Sequence, residues 1–399
     1  LFRSANAQGG AGGGGRIAIY YNYTSWSNND LLSSSVEGGQ GINNAQSARS
    51  GTLIFVDQED NTAVITDGFR FQGISGTANE TVNTTFFSTS NPTYWNLVNI
   101  TLLQADNVVS NISTLNITTS DMFVIKNSSW FNAGSTSLNI FTPNLNITGS
   151  NISVTGSNIL VNVSSNFYDI IDCSISGDNI RLNSYDDLLF SSSSILGSAD
   201  VTLNSNLDMD LADSSLIIGQ VVNISTGNLT VAGDSEIDVS TKGYSGGDTS
   251  RSRPGSNGEG PGGGLGNTVV DDLKGGGGAG YGAIGGDGQS NSGSGGSTYG
   301  SILHPNQLGS GGGSGDLSPG GDGGGLIILN ITDTLTVQGG IYSNGQAGQT
   351  GDSSQGSGGG SGGSIYIETG VFLGSGNISA IGGDGYENTQ KGAGGSGGR

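Results

Sequence analysis

Cysteine occurs once in these 399 residues, at Cys173, and histidine once, at His304. A single cysteine excludes an internal disulfide framework, and a single histidine excludes a Cys/His zinc cluster. Basic residues are also scarce: 12 Lys plus Arg stand against 33 Asp plus Glu, a net charge of -21. With so few cations to displace counterions from phosphate, the balance argues against nucleic acid and anionic membranes as partners and favours divalent cations or basic surfaces. No apolar run approaches the ~18–20 residues of a membrane-spanning helix, so membrane insertion is not expected. The chain begins at Leu1 with neither Met nor a signal-peptide pattern, as expected of a processed mature protein or a window cut from a longer one.

Cys173 lies in "IIDCSISG", where period-two alternation aims Ile171, Cys173 and Ile175 to one side of a strand. We expect a small buried hydrophobe there, rather than a reactive thiol or an intermolecular disulfide.

Glycine is what the chain has in excess: 76 residues, where ordinary usage is about 7 %. Asparagine, serine and threonine are abundant too, and they form fourteen N-x-S/T sequons. These stand at Asn22, Asn79, Asn83, Asn99, Asn111, Asn116, Asn127, Asn146, Asn151, Asn162, Asn223, Asn228, Asn330 and Asn377. Most read N-I-S/T or N-L-T, which on a strand turns the Asn and the hydroxyl outward and the aliphatic residue inward. Polar-out patterning alone produces some of them, since composition predicts roughly eight. The excess leads us to expect covalent N-glycans on several, hence an extracellular or cell-surface protein.

Three regions separate by composition. Residues 1–66 mix glycine runs with strands, 67–240 read as dense short strands rich in Asn, Ser and Thr, and 241–399 are glycine-dominated with strands between. We expect them to form one continuous elongated domain. In the middle region, segments of three to five residues alternate Leu/Ile/Val with Asn/Ser/Thr, and polar breaks recur every ~6–9 residues. That spacing is tighter than a β-sandwich allows, and the period excludes helix. Short strands with tight corners predict an all-β fold, a right-handed parallel β-helix with coils of ~20–25 residues.

A longer repeat marks the flanks. Ile17, Leu53, Ile327 and Ile365 align as the first apolar residue after a glycine lead-in, with second strands near Leu229, Leu335 and Val371. The glycine runs themselves read either as flexible linkers or as ordered, polyglycine-II-like excursions whose backbones bond to one another. We expect the ordered form. "GGSGG" around Ser361 matches a nucleophile-elbow pattern only formally, since no helix follows and the one histidine sits in a loop. The carboxylate pairs Asp186–Asp187 and Asp271–Asp272 lack the partners that sugar-cleaving chemistry uses, so no enzyme is expected and no catalytic residue is assigned. In "NLDMDLAD", alternation turns Leu207, Met209 and Leu211 inward and Asp208 and Asp210 outward. With Asp287, Asp322 and Asp384 of the repeated "GGDG", these are weak candidates for calcium; no other metal or cofactor is implied. Sugar stacking could use Tyr20, Tyr21, Trp26, Tyr94, Trp95, Trp130 and Phe131, although capping and subunit contact explain such aromatics as well.

The strand–glycine units "GGGGRIAIYY" and "GGSGGSIYIETGVFLGSGNISAIGGDG" resemble the glycine-rich β-helix repeats of very large secreted or surface proteins, adhesin-like exoproteins and the mastigoneme-like glycoproteins of flagellar hairs. The resemblance covers residues 9–66 and about 229–399. It implies a structural role in an extracellular filament, appendage or coat, with a glycan-binding adhesin as the second class and a pectin-lyase-like enzyme a distant third. The implied partners are further copies of the chain and other surface proteins. The chain closes on "GAGGSGGR", so Arg399 takes the place that Arg16 holds before Ile17. Either the chain was cut from a longer repeat array, or head-to-tail self-association is expected between Ile17, Ile19, Tyr20 and Tyr21 of one copy and Ile365, Ile367 and Ile381 of another.

Overall fold

The computed structural model describes residues 137–399 apart from 155, 166–167, 249–254, 268–274, 290–292, 316, 352–354 and 388–390. Before these it describes the strands Arg16–Tyr21, Thr52–Asp57, Thr62–Thr66, Thr84–Phe87, Tyr94–Leu103, Val108–Ser110, Thr114–Lys126 and Trp130–Gly134, and ahead of Ile117 their backbone alone. Among the described residues every regular element is a strand. The architecture is a parallel β-helix, and the chain divides into two compact units, Leu1–Ser194 and Ile195–Arg399.

In the first unit, three short strands make one turn of the helix. Asn158–Val163, Tyr168–Ile171 and Ser174–Gly177 form one such coil. Each strand pairs in parallel with its counterpart one coil on: Asn158 stands against Asn179, and Asp169 against Leu189. Hydrogen-bonded side chains on successive coils are 20 to 23 residues apart, the coil length read from the sequence. The alternation does the expected work. Ile159, Val161 and Val163 are buried while Asn158 is exposed. One fully buried aliphatic side chain contributes about 1.5–3 kcal/mol, so each coil is held by a narrow stack of Ile, Leu and Val.

Corners interrupt the parity. Asp172 and Ser192, at equivalent corners, adopt left-handed backbone with φ of 53° and 49°. This changes which residues point inward. Ile170, Cys173 and Ile175 are buried, whereas Ile171 is only half-buried, so the alternation expected across "IIDCSISG" fails at the corner. Among the early strands, Ile17 pairs in parallel with Leu53, the two residues that the repeat aligns. The strands Thr52–Asp57 and Thr62–Thr66 then run antiparallel, with Leu53 against Thr66. Only four residues separate these two strands, which suits an antiparallel return and not a parallel pair.

In the second unit the coils continue as Asp200–Asn204, Asp208–Ala212 and Leu216–Ile218, then Val221–Thr226, Asn228–Val231 and Glu236–Asp238. Two longer coils follow: Leu326–Val337 with Gly340–Tyr342, and Ser364–Gly374 with Asn377–Ser379. Val221 pairs with Leu326, and Leu326 with Ser364, so residues 239–325 and 343–363 are excursions inserted between successive rungs. Ile327 stands opposite Ile365, as the repeat requires. Leu335, however, meets Phe372 rather than Val371, because the register shifts between Ile331 and Thr334. In "NLDMDLAD", Met209 and Leu211 are fully buried, but Leu207 is exposed: it precedes the strand, at a corner, where alternation does not apply.

Among the described residues of these excursions, glycine runs bond to one another through their backbones. Along one run, Gly358 donates to Gly313, Gly359 to Ala393, Gly360 to Gln346, Ser361 to Ser310, Gly362 to Ser396 and Gly363 to Ser343. The acceptors therefore recur every third residue, each time in one of three surrounding runs. Gly276 to Gly280 repeat the pattern, donating in turn to Gly356, Leu265, Gly286, Gly359 and Gly262. Three residues per turn is the repeat of an extended polyproline-II helix, whose backbone groups must find partners outside their own segment. The runs approach so closely that a Cβ on Gly358 would overlap the carbonyl of Gly277.

Candidate functional site

Two features of the second unit stand out, the glycine runs and the last coil. The run that ends the chain lies beside the run before it, with Gly359 donating to Ala393 and Gly362 to Ser396. The same lane then enters the sheet. Arg399 N–H donates to the carbonyl of Gly363 (3.0 Å), and its own carbonyl accepts from Ile365 N–H (2.9 Å). Arg399 thus faces Ser364 as the first residue of a further parallel rung.

A pair of tyrosines, one of them fully buried, lies beside that residue. Tyr281 is fully buried, its ring centroid 4.5 Å from that of Tyr299. The Tyr281 hydroxyl is hydrogen-bonded to Ser364, its N–H donates to Ser396 Oγ (2.9 Å), and the Arg399 guanidinium lies 5.7 Å from its ring centroid. Burial pushes the Tyr299 hydroxyl well above its ordinary pKa, so it stays neutral while donating to the Leu308 carbonyl (2.5 Å). Sequence reasoning missed both tyrosines, since one "GYG" among 76 glycines carries no period.

Beyond this anchor the last coil is uncovered. Ile327, Leu329 and Leu335 of the Leu326–Val337 strand are fully buried, but their counterparts Ile365 and Ile367 are only half-buried and Phe372 is 57 % exposed. A groove of about 470 Å³ is lined by Ile365, Ile367, Ile378, Ala380, Leu303 and Arg399. Leu303 is itself 79 % exposed, and neighbouring His304 packs its ring 5.6 Å from that of Tyr366. Ile381, expected at this surface, is exposed. Of the opposite set, the register of Ile17, Ile19, Tyr20 and Tyr21 is described and their side chains are not.

The remaining expectations fall at scattered positions. Ser361 is fully buried and accepts from the Ser310 N–H (2.8 Å), which leaves it no room to act as a nucleophile. Asp186 and Asp187 sit at a corner, where Ser184 Oγ donates to the Asp187 carbonyl, and Asp271 and Asp272 lie outside the described residues. Asp322 accepts from Gly246 N–H (2.7 Å) and Asp287 from Gly295 N–H (2.8 Å), so these "GGDG" carboxylates tie glycine runs together. Asp208 accepts from Asn228 Nδ2 (2.8 Å), Asp384 offers its carbonyl to Gly348, and Asp210 is exposed. Among the described residues no three such groups converge on a metal position. The side chains of Tyr94, Trp95, Trp130 and Phe131, and all of Trp26, lie outside the described residues.

The sequons divide by environment. Asn151 and Asn377 are exposed. The Thr148 hydroxyl donates to Asn146 Oδ1 (2.7 Å), so that Asn and sequon hydroxyl share the outer face. Asn162 accepts from Asn183 (2.6 Å), Asn330 is half-buried, and Asn223 has a buried Oδ1 with no hydrogen-bond partner. Asn228 is committed at both atoms, to Asp208 and to Thr334 N–H (3.0 Å). Asn22, Asn79, Asn83, Asn111 and Asn127 lie outside the described residues, as do the side chains of Asn99 and Asn116. No known protein family, no curated protein and no solved structure matches this chain.

Proposed function

We propose that the chain is a structural subunit of an extracellular, glycosylated filament, appendage or coat. The observation that carries this reading is the three-way backbone bonding of the glycine runs. Ordering glycine costs more conformational entropy than ordering any other residue. A flexible linker has no reason to meet that cost; a load-bearing scaffold does. The runs act as a polyglycine-II-type bundle alongside the β-helix, so that strength comes from backbone bonds in two different packings. Glycans on the outward asparagines shield the surface from proteolysis and keep neighbouring chains apart where contact is not wanted.

Electron microscopy of the native material tests the reading. Filaments or sheets built from this chain are expected; native material consisting of dispersed monomers at all concentrations would overturn it.

A further inference from the structure

We propose that the excursion at residues 240–324 is hidden length: the coils on either side carry tension past it, and it extends as one step once they part. The proposal rests on the load-bearing reading above and says how the molecule yields. Its first support is that the two coils close over the insertion on all three faces. Val222 pairs with Ile327, Leu229 with Leu335 and Ile237 with Ile341, although the whole excursion separates them in sequence. The mouth of the excursion is tied as well. Gly325 N–H donates to the Val239 carbonyl (2.8 Å), Gly243 N–H to Gly323 (2.7 Å) and Gly323 N–H to Tyr244 (2.9 Å). Load arriving along the chain therefore crosses from coil to coil through rung hydrogen bonds, and the excursion lies outside its path.

What holds the excursion differs in kind from what holds the coils. Val222, Ile224, Leu229, Val231 and Ile237 of the coil before it are all fully buried. Among the described residues of the much longer excursion, the buried apolar side chains are Ala279 and Tyr281. The rest is largely backbone bonding, such as Gly277 to Leu265, Gly280 to Gly262 and Gly313 to Gly277. A hydrogen bond adds little net stability, because water bonds the open chain too, and glycine gains more freedom on release than any other residue. The excursion is therefore a cooperative unit of lower stability that opens while the rungs stay paired. Opening alone adds no length, since its ends remain tied. Parting of the coils then releases roughly 85 residues, about 280–310 Å of extended chain. A coil of 20 to 23 residues releases only about a quarter as much.

Single-molecule stretching of the full chain, held by tags at its two ends in a Cys173→Ala background, tests the release. Thr230→Cys and Thr336→Cys are added together, at half-buried positions that pair across the insertion. Neighbouring strands lie ~4.8 Å apart, within disulfide reach. The reduced variant should show one extension step of about 280–310 Å. Oxidation should abolish it, because the bridge takes residues 231–335 out of the force path. Native-state amide exchange gives the second reading: Gly277 to Gly280 should lose protection at lower denaturant than Val222 and Ile224. Three results overturn hidden length and leave the scaffold reading standing. They are a step that survives oxidation, lengthening of 240–324 below the force that parts any coil, and glycine and coil amides that exchange together. Dispersed native monomers would overturn the scaffold, and with it the load that gives this step a role.

Discussion

Ile327 and Ile365 stand directly opposite one another in neighbouring parallel strands, yet Ile327 is fully buried and Ile365 half-buried. Same residue, same register, different cover: the Ser364–Gly374 strand lies against Ile327, whereas among the described residues no paired strand covers Ile365. Replacing each by alanine should separate the two. Ile327→Ala removes packed aliphatic surface and should cost about 2–5 kcal/mol in denaturant unfolding. Ile365→Ala should cost clearly less. Equal losses in the monomer would mean that the last rung is covered after all.

Gly358 and Gly394 offer a direct test of whether the glycine runs are packed. A Cβ on Gly358 would overlap the Gly277 carbonyl, whereas on Gly394 its nearest neighbour would be 3.7 Å away. Gly358→Ala should therefore destabilise by about 1–3 kcal/mol or more, as overpacking does, and Gly394→Ala should be close to neutral. Flexible linkers would tolerate both alike. Thermal unfolding monitored by circular dichroism, with amide exchange over residues 356–363, reads the contrast.

Cys173 should give the first unit a pH dependence at the alkaline end. Its Sγ donates to the carbonyls of Ile171 (2.9 Å) and Ile147 (3.2 Å), and burial pushes the thiol from 9.0 up to about 11. The folded pKa is raised, so the neutral thiol's contribution is fully present below pH 9 and lost as pH rises from 9 through 11. Denaturant midpoints measured across that window should fall in the wild type and fall less in Cys173→Ala. A thiol reagent at pH 8 should react only as fast as the chain unfolds; rapid labelling of native protein would count against burial.

Glycan occupancy should follow exposure. Asn151 and Asn377 stand clear of the surface, while both polar atoms of Asn228 are engaged within the fold. If the chain is glycosylated as proposed, glycopeptide mapping of the native protein should find the first two occupied and Asn228 bare or nearly so. Full occupancy of Asn228 would show that its bonds to Asp208 and Thr334 do not form in the mature protein.

A glycan array distinguishes scaffold from adhesin. The last-coil groove is lined mainly by aliphatic side chains, with Tyr366 its one aromatic, which suits strand packing better than sugar stacking. The isolated chain should bind no glycan tightly. Selective retention by one sugar class would move the reading to adhesion.

Much of this was legible in the chain itself. Period-two alternation and breaks every few residues pointed to a parallel β-helix with coils of about 20–25 residues, and the repeat aligned Ile17 with Leu53 and Ile327 with Ile365, residues that the fold then pairs. Both signals are local: they depend on where a side chain points along its own strand and on how many residues complete a turn. Tertiary structure decided the rest. Left-handed backbone at Asp172 moved Ile171 off the core face, and a register shift put Phe372 rather than Val371 against Leu335. The partners of the glycine runs were invisible in sequence because a residue without a side chain encodes no partner. Gly278 bonds to Gly286 and Ala279 to Gly359 only because the fold brings three runs together. The same convergence set Arg399 against Tyr281 and left Ile365, Ile367 and Phe372 without a cover.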